Sequence, residues 1–183
     1  MSMFNLQGKI ALVTGAGRGI GRGVTEGLAA QGATVVCASR TKPELDEAVA
    51  AIEAQGGTAM ALTMDMASMD SLEAGVQQVI AQYGRIDILF NNAGMNVRQP
   101  IDEVTEDDYD RIMTVNLKGL YFLSQKVARD MRTRRQGKII NVGSLTTGRA
   151  LAKVSVYTAT KGAVGQLTKA QALEFGPDNI QVN

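Results

Sequence analysis

Histidine is missing from the 183 residues, so a Ser-His-Asp triad and an imidazole-ligated metal are both excluded, and no metal is expected. Cysteine occurs once, at Cys37, which rules out an internal disulfide. Its place in an apolar, strand-like run marks a buried, unreactive thiol. Charge is balanced at a net +1, which gives no reason to expect nucleic acid or a membrane surface as partner. Arg132, Arg134 and Arg135 form the only basic cluster, read as the solvated end of a helix, where cations suit the macrodipole. No apolar run approaches the roughly 18 residues that a membrane helix needs. The start, Met1-Ser2-Met3-Phe4-Asn5, lacks a charged region followed by an apolar stretch. These absences describe a soluble, cytoplasmic protein.

What remains is an ordinary globular composition, 45% apolar and 20% charged, sized for a single domain over residues 1–183. Lys9–Thr14 is a short apolar run ending in glycines, as expected of a strand buried on both faces. Helical pattern follows over 20–31, stopped at Gly32, then a strand over 33–39 and a helix over 43–55 with Pro43 in its first turn. A strand at 58–63, a helix at 69–83 ended by Gly84, and a strand at 86–90 continue the alternation. Two longer helices, near 105–133 and 155–175, flank a strand at 137–142. Strands alternating with helices specify an α/β fold with a doubly wound parallel sheet, helices on both faces. Gly176-Pro177 closes the last helix, and Ile180-Gln181-Val182-Asn183 opens a further strand; on this reading the sequence is a fragment, or more residues follow.

Between the first strand and first helix lies Thr14-Gly15-Ala16-Gly17-Arg18-Gly19-Ile20-Gly21. This is where a dinucleotide pyrophosphate sits on a helix N-terminus in Rossmann-type folds. Strict GxGxxG spacing is absent; the pattern is GxxxGxG at Gly15, Gly19 and Gly21. NAD-binding folds usually place an acidic residue at the end of the second strand, on the ribose 2′-hydroxyl. Here that place holds Ala38-Ser39-Arg40, with no carboxylate before Glu44. A guanidinium there can fork onto a 2′-phosphate, and Arg18 could add a second cation. The expected cofactor is NADP(H), although both arginines also suit solvated loops.

Tyr157 and Lys161 stand four residues apart, thirteen residues after Ser144. On a helix, positions i and i+4 share a face, so phenol and ammonium would point into one space. A free Tyr is a poor base at neutral pH. A cation about 4 Å away, at an effective dielectric near 20, would stabilise a phenolate by roughly 4 kcal/mol. That is enough for acid/base catalysis, although an exposed helix can carry such a pair by chance.

Taken together, TGAGRGIG (14–21), Asp65-Met66, NNAG (91–94), Asn116, Ser144 and YTATK (157–161) resemble the short-chain dehydrogenase/reductase family, in order and in spacing. The resemblance implies that Tyr157 is the general acid/base and that Ser144 hydrogen-bonds the substrate oxygen. Lys161 would lower the pKa of Tyr157 and hold the nicotinamide ribose, and Asn116 would interrupt its helix and carry a water relay. Gly15, Arg18, Gly19, Ile20, Gly21, Ser39 and Arg40 would bind the cofactor. Asp65 and Met66 would line its adenine pocket, and Asn92, Ala93 and Gly94 would support sheet and cofactor. Met66 also belongs to a run of methionines (Met60, Met64, Met66, Met69) that suits core filling.

NNAGMNVRQPIDEVT and NVGSLTTGRA look most like the sugar-acid and polyol dehydrogenases of the gluconate 5-dehydrogenase type, and are similar to 3-oxoacyl-carrier-protein reductases. A sugar acid or polyol is the favoured small-molecule substrate; a non-catalytic NADP-binding regulator is the remaining alternative. Arg98 and Arg149 would edge the mouth of the site, either receiving a substrate carboxylate or standing in solvent. The family's substrate loop and helix follow the sixth strand, beyond the last residue here. Its members form dimers or tetramers through the two long helices, so a homodimer or homotetramer is expected.

Overall fold

Apolar residues in the first strands point alternately to two sides, and the computed structural model, which describes residues 4–183, turns that alternation into two cores. Met1, Ser2 and Met3, the start of the segment read above as carrying no targeting signal, lie outside the described residues. Six strands form one parallel sheet: β1 (Ile10–Thr14), β2 (Thr34–Ser39), β3 (Thr58–Thr63), β4 (Ile88–Asn91), β5 (Gly137–Asn141) and β6 (Ile180–Val182), in the order β3-β2-β1-β4-β5-β6. The helices are α1 (Gly19–Ala30), α2 (Lys42–Glu53), α3 (Met69–Tyr83), α4 (Glu106–Met113), α5 (Leu120–Arg134) and α6 (Ser155–Phe175).

Ile10 and Leu12 face one side of the sheet, with Leu72 and Val76 of α3 and Leu123 and Val127 of α5. Ala11 and Val13 face the other, with Ala29 of α1 and Leu45 and Ile52 of α2. Burying one such leucine or isoleucine contributes roughly 1.5–3 kcal/mol, so both layers are held by the strand period itself. Cys37 sits at 0% exposure in the second core, and burial raises its thiol to about 11, which leaves it an unreactive apolar filler. Met64 and Met66 are core residues, with Met60 and Met69 packed against them.

The structure refines two expectations. The helix read from its apolar pattern over 105–133 is α4, then a π-helical turn at Thr114–Gly119, then α5, and the interruption falls at Asn116, as the resemblance implied. The three arginines do stand at the end of α5, with Arg132 and Arg135 exposed as expected, but all three also have carboxylate partners. Arg134 donates to Asp130, Asp87 and the Ile86 carbonyl, while Arg132 and Arg135 both reach Asp178. They tie the end of α5 to the edges of β4 and β6 rather than serving a dipole alone. No helix among the described residues is long and apolar enough to cross a membrane.

Because β2 and β3 lie on one side of β1 and β4 to β6 on the other, connections diverge between β1 and β4. A crevice opens at the carboxyl ends of the strands at such a switch point.

Candidate active site

The crevice is floored by a clip built from β1 and β4. Thr14 Oγ1 accepts from the main-chain N–H of Asn92 and of Ala93, each at 3.0 Å. Asn92 Nδ2 donates back to the carbonyls of Thr14 (3.0 Å) and Gly15 (3.2 Å). Asn92, Ala93 and the glycine loop are thereby one rigid unit. Gly15 and Gly19 adopt φ of +65° and +57°, open to glycine at no steric cost. A Cβ on Gly19 would meet nothing within 4 Å, so the first turn of α1 faces open space. Arg18 caps that helix in extended conformation without a side-chain cap bond, which leaves the leading N–H groups for a ligand.

A groove of about 380 Å³ runs from this turn, lined by Gly15, Arg18, Gly19 and Ile20, past Ser39 and Arg40, along Asp65 and Met66 to Gly94. Of the cofactor residues expected from the sequence, those of the glycine loop, β2 end, Asp65-Met66 and Asn92–Gly94 line it, except Gly21, which backs the loop from behind; Tyr157 and Lys161, also expected to meet the cofactor, lie on α6 outside its lining. Arg18 and Arg40 are both exposed in the groove. A helix N-terminus beside glycine backbone and two free cations suits a dinucleotide bearing an extra phosphate. Sequence reasoning passed over Thr14, Gly17, Glu44 and Val115, which also line the groove. For Gly17 the sequence signal was its place in the glycine run 14–21, and the structure supplies the reason: a Cβ there would lie 2.8 Å from Glu44 Oε2, so α2 packs directly on the loop.

Where the groove ends, Asn116 begins a second assembly. Its Oδ1 accepts from Met95 N–H and its Nδ2 donates to Met95 C=O, both at 2.8 Å, as a strand neighbour would. The same amide reaches Thr160 Oγ1 at 3.4 Å, and Thr160 Oγ1 donates to the Tyr157 carbonyl. Asn116 is 1% exposed and sits in the π-helical turn, which aims its amide out of the helix at Met95. The groove and the Tyr157–Lys161 turn of α6 are therefore joined through one side chain.

Lys161 is 5% exposed, its Nζ donating to the Val142 carbonyl at 2.6 Å and standing 5.7 Å from the centroid of the Tyr157 ring. Burial draws its pKa below the ordinary lysine value. Ser144 starts a 3₁₀ turn, Leu145–Thr147, which lies on α6 because Gly165 leaves room for Thr147: a Cβ on Gly165 would be 2.5 Å from Thr147 Cγ2. The end of β5 thus delivers both Val142 and Ser144 to the face of α6 carrying Tyr157 and Lys161. Arg98 and Arg149 are exposed on the loops after β4 and β5.

The sequence model for the short chain dehydrogenases matches residues 9–183. The chain belongs to that family. As a short-chain dehydrogenase it is an oxidoreductase with a small-molecule substrate. It is 42% identical to gluconate 5-dehydrogenase of Gluconobacter oxydans over 181 residues, covering 99% of this chain and 71% of that one. It is 45% identical to L-xylulose reductase of Mesocricetus auratus, covering 97% and 70%. Among solved structures, a gluconate 5-dehydrogenase from Burkholderia cenocepacia in complex with NADP and tartrate superposes with a TM-score of 0.94 at 39% identity, covering 98% of this chain and 71% of that one.

Proposed function

We propose that this short-chain dehydrogenase binds NADP(H) in the β1–β4 groove and interconverts a ketone and a secondary alcohol of a sugar acid or polyol. The observation that carries the reading is the continuity from groove to α6 through Asn116, which links the cleft to the helical turn bearing Tyr157 and Lys161. The naming of relatives for gluconate, and of a solved relative for NADP and tartrate, supports the substrate class and the cofactor. When bound, NADP(H) supplies or takes up the hydride.

The chain's own part is positioning and one proton. In reduction, Tyr157 donates its phenolic proton to the carbonyl oxygen as negative charge grows there. Ser144 donates a hydrogen bond to the same oxygen and fixes it in line. Oxidation reverses the transfer, the phenolate taking the alcohol proton while facing the Lys161 charge. Lys161 is held for this by the Val142 carbonyl. Arg98 and Arg149, exposed on the loops after β4 and β5, would receive a substrate carboxylate. The apolar stripe of Met113, Leu117, Tyr121, Phe122, Ala163 and Leu167 is the surface on which a second copy would sit in a dimer or tetramer.

Two experiments test this. NADPH oxidation against a panel of carbonyl compounds should favour keto-sugar acids and ketoses; much faster turnover of short 3-oxoacyl thioesters would overturn the substrate class. Arg40→Glu should shift the NADP/NAD ratio of kcat/KM toward NAD by ten-fold or more, since a charge-assisted contact contributes about 1.5–3 kcal/mol. An unchanged ratio would remove Arg40 from phosphate recognition.

A further inference from the structure

A serine hydroxyl carries one proton to donate and two lone pairs to accept with. In this chain Thr146 brings two polar groups to Ser144 Oγ, its N–H at 3.1 Å and its Oγ1 at 3.0 Å, inside a capping box that Thr147 closes. The direction of the second bond follows from burial. Thr146 is 4% exposed, and among the described residues its hydroxyl has no partner besides Ser144. If Ser144 donated instead, the Thr146 proton would be buried without an acceptor, an arrangement that native structures avoid. The Ser144 proton is then the one hydrogen-bonding capacity of that hydroxyl left over, on a side chain that is only half-buried.

We infer that Thr146 is a positioning residue that commits Ser144 to act as a donor, and so favours binding of the developing negative oxygen over any group that would itself donate. Two bonds received on the oxygen also polarise the remaining O–H, because hydrogen bonds in a chain strengthen one another. The Ser144 main chain is fixed separately, its N–H donating to Thr147 Oγ1 at 3.0 Å, so the two threonines divide the work. Thr147 holds where Ser144 stands, and Thr146 sets which way its proton points. This inference rests on the proposed role of Ser144.

The test is Thr146→Val, which keeps the shape and the N–H but removes the hydroxyl, set beside Thr146→Ser and Ser144→Ala. Steady-state kinetics with a keto-sugar acid should show kcat lowered by about three- to ten-fold in the Val variant, KM changed less than two-fold, and recovery in the Ser variant. Thermal unfolding of all three reports whether the turn still folds. Loss of kcat on Ser144→Ala with a wild-type kcat in Thr146→Val would overturn this inference alone. Wild-type kcat in Ser144→Ala would overturn the role of Ser144 beneath it. A Thr146→Val loss that Thr146→Ser fails to restore would assign Thr146 to packing, against the inference.

Discussion

Replacing Tyr157 by Phe should lower kcat by two to four orders of magnitude while leaving the NADPH dissociation constant within about three-fold of wild type. The asymmetry follows from geometry. The ring of Tyr157 is half-buried on α6, and Phe keeps its contacts, its place near Lys161 Nζ and the Thr160 bond to the residue's carbonyl. Only the phenolic oxygen is lost. The groove that runs from the glycine loop to Gly94 has no part of Tyr157 in its lining, so nucleotide affinity has little reason to change. Stopped-flow hydride transfer and a fluorescence titration with NADPH separate the two quantities. Full turnover by the Phe variant would remove Tyr157 from proton transfer, and loss of binding with the chemistry would make it a cofactor-holding residue instead.

Much of this was readable in the residues because it depends on local rules. Strand period and glycine stops gave β3, α3 and α6 their limits and made the sheet parallel, since βαβ alternation leaves few other sheets. Strand and helix ends elsewhere moved by one or two residues, where capping geometry rather than propensity decides. The π-helical turn was marked only by the family resemblance, which has Asn116 interrupt its helix, and not by the apolar pattern. Ile112, Leu120, Leu123, Val127 and Met131 keep a helical apolar period straight through it, while the distortion answers to Asn116 pairing with Met95, twenty-one residues away in sequence. Arg134 was misread likewise. Its partner Asp87 is forty-seven residues distant, and Asp87 in turn accepts from Ile10 N–H at the edge of β1. Thr146 gave no sequence signal, because a threonine two residues past a serine is ordinary until burial shows it has no other partner.

Gly21→Ala should cost both stability and cofactor affinity, and its neighbour Gly23→Ala should cost neither. Gly21 is in the first turn of α1, where alanine is normally the better helix former by roughly 1 kcal/mol. A Cβ there would lie 2.1 Å from the Gly15 carbonyl oxygen and 2.6 Å from Asn92 Nδ2. Neither can yield alone. The Gly15 carbonyl accepts from Asn92 Nδ2, and Asn92 is pinned through its own N–H to Thr14 Oγ1, which is 1% exposed. Relief requires the loop or α1 to shift as a unit, an overpacking cost of about 1–3 kcal/mol that outweighs the propensity gain. For a chain of this length about 2 kcal/mol corresponds to a fall in Tm of roughly 4–8 °C. The same shift moves the N–H groups that would face a pyrophosphate, so NADPH affinity should fall at least ten-fold. A Cβ on Gly23 meets nothing within 4 Å, and that variant should unfold at or above the wild-type temperature with unaltered affinity. Calorimetric unfolding and nucleotide titration of the two variants decide the matter: if both behave alike, contact between α1 and the clip is not what shapes the groove.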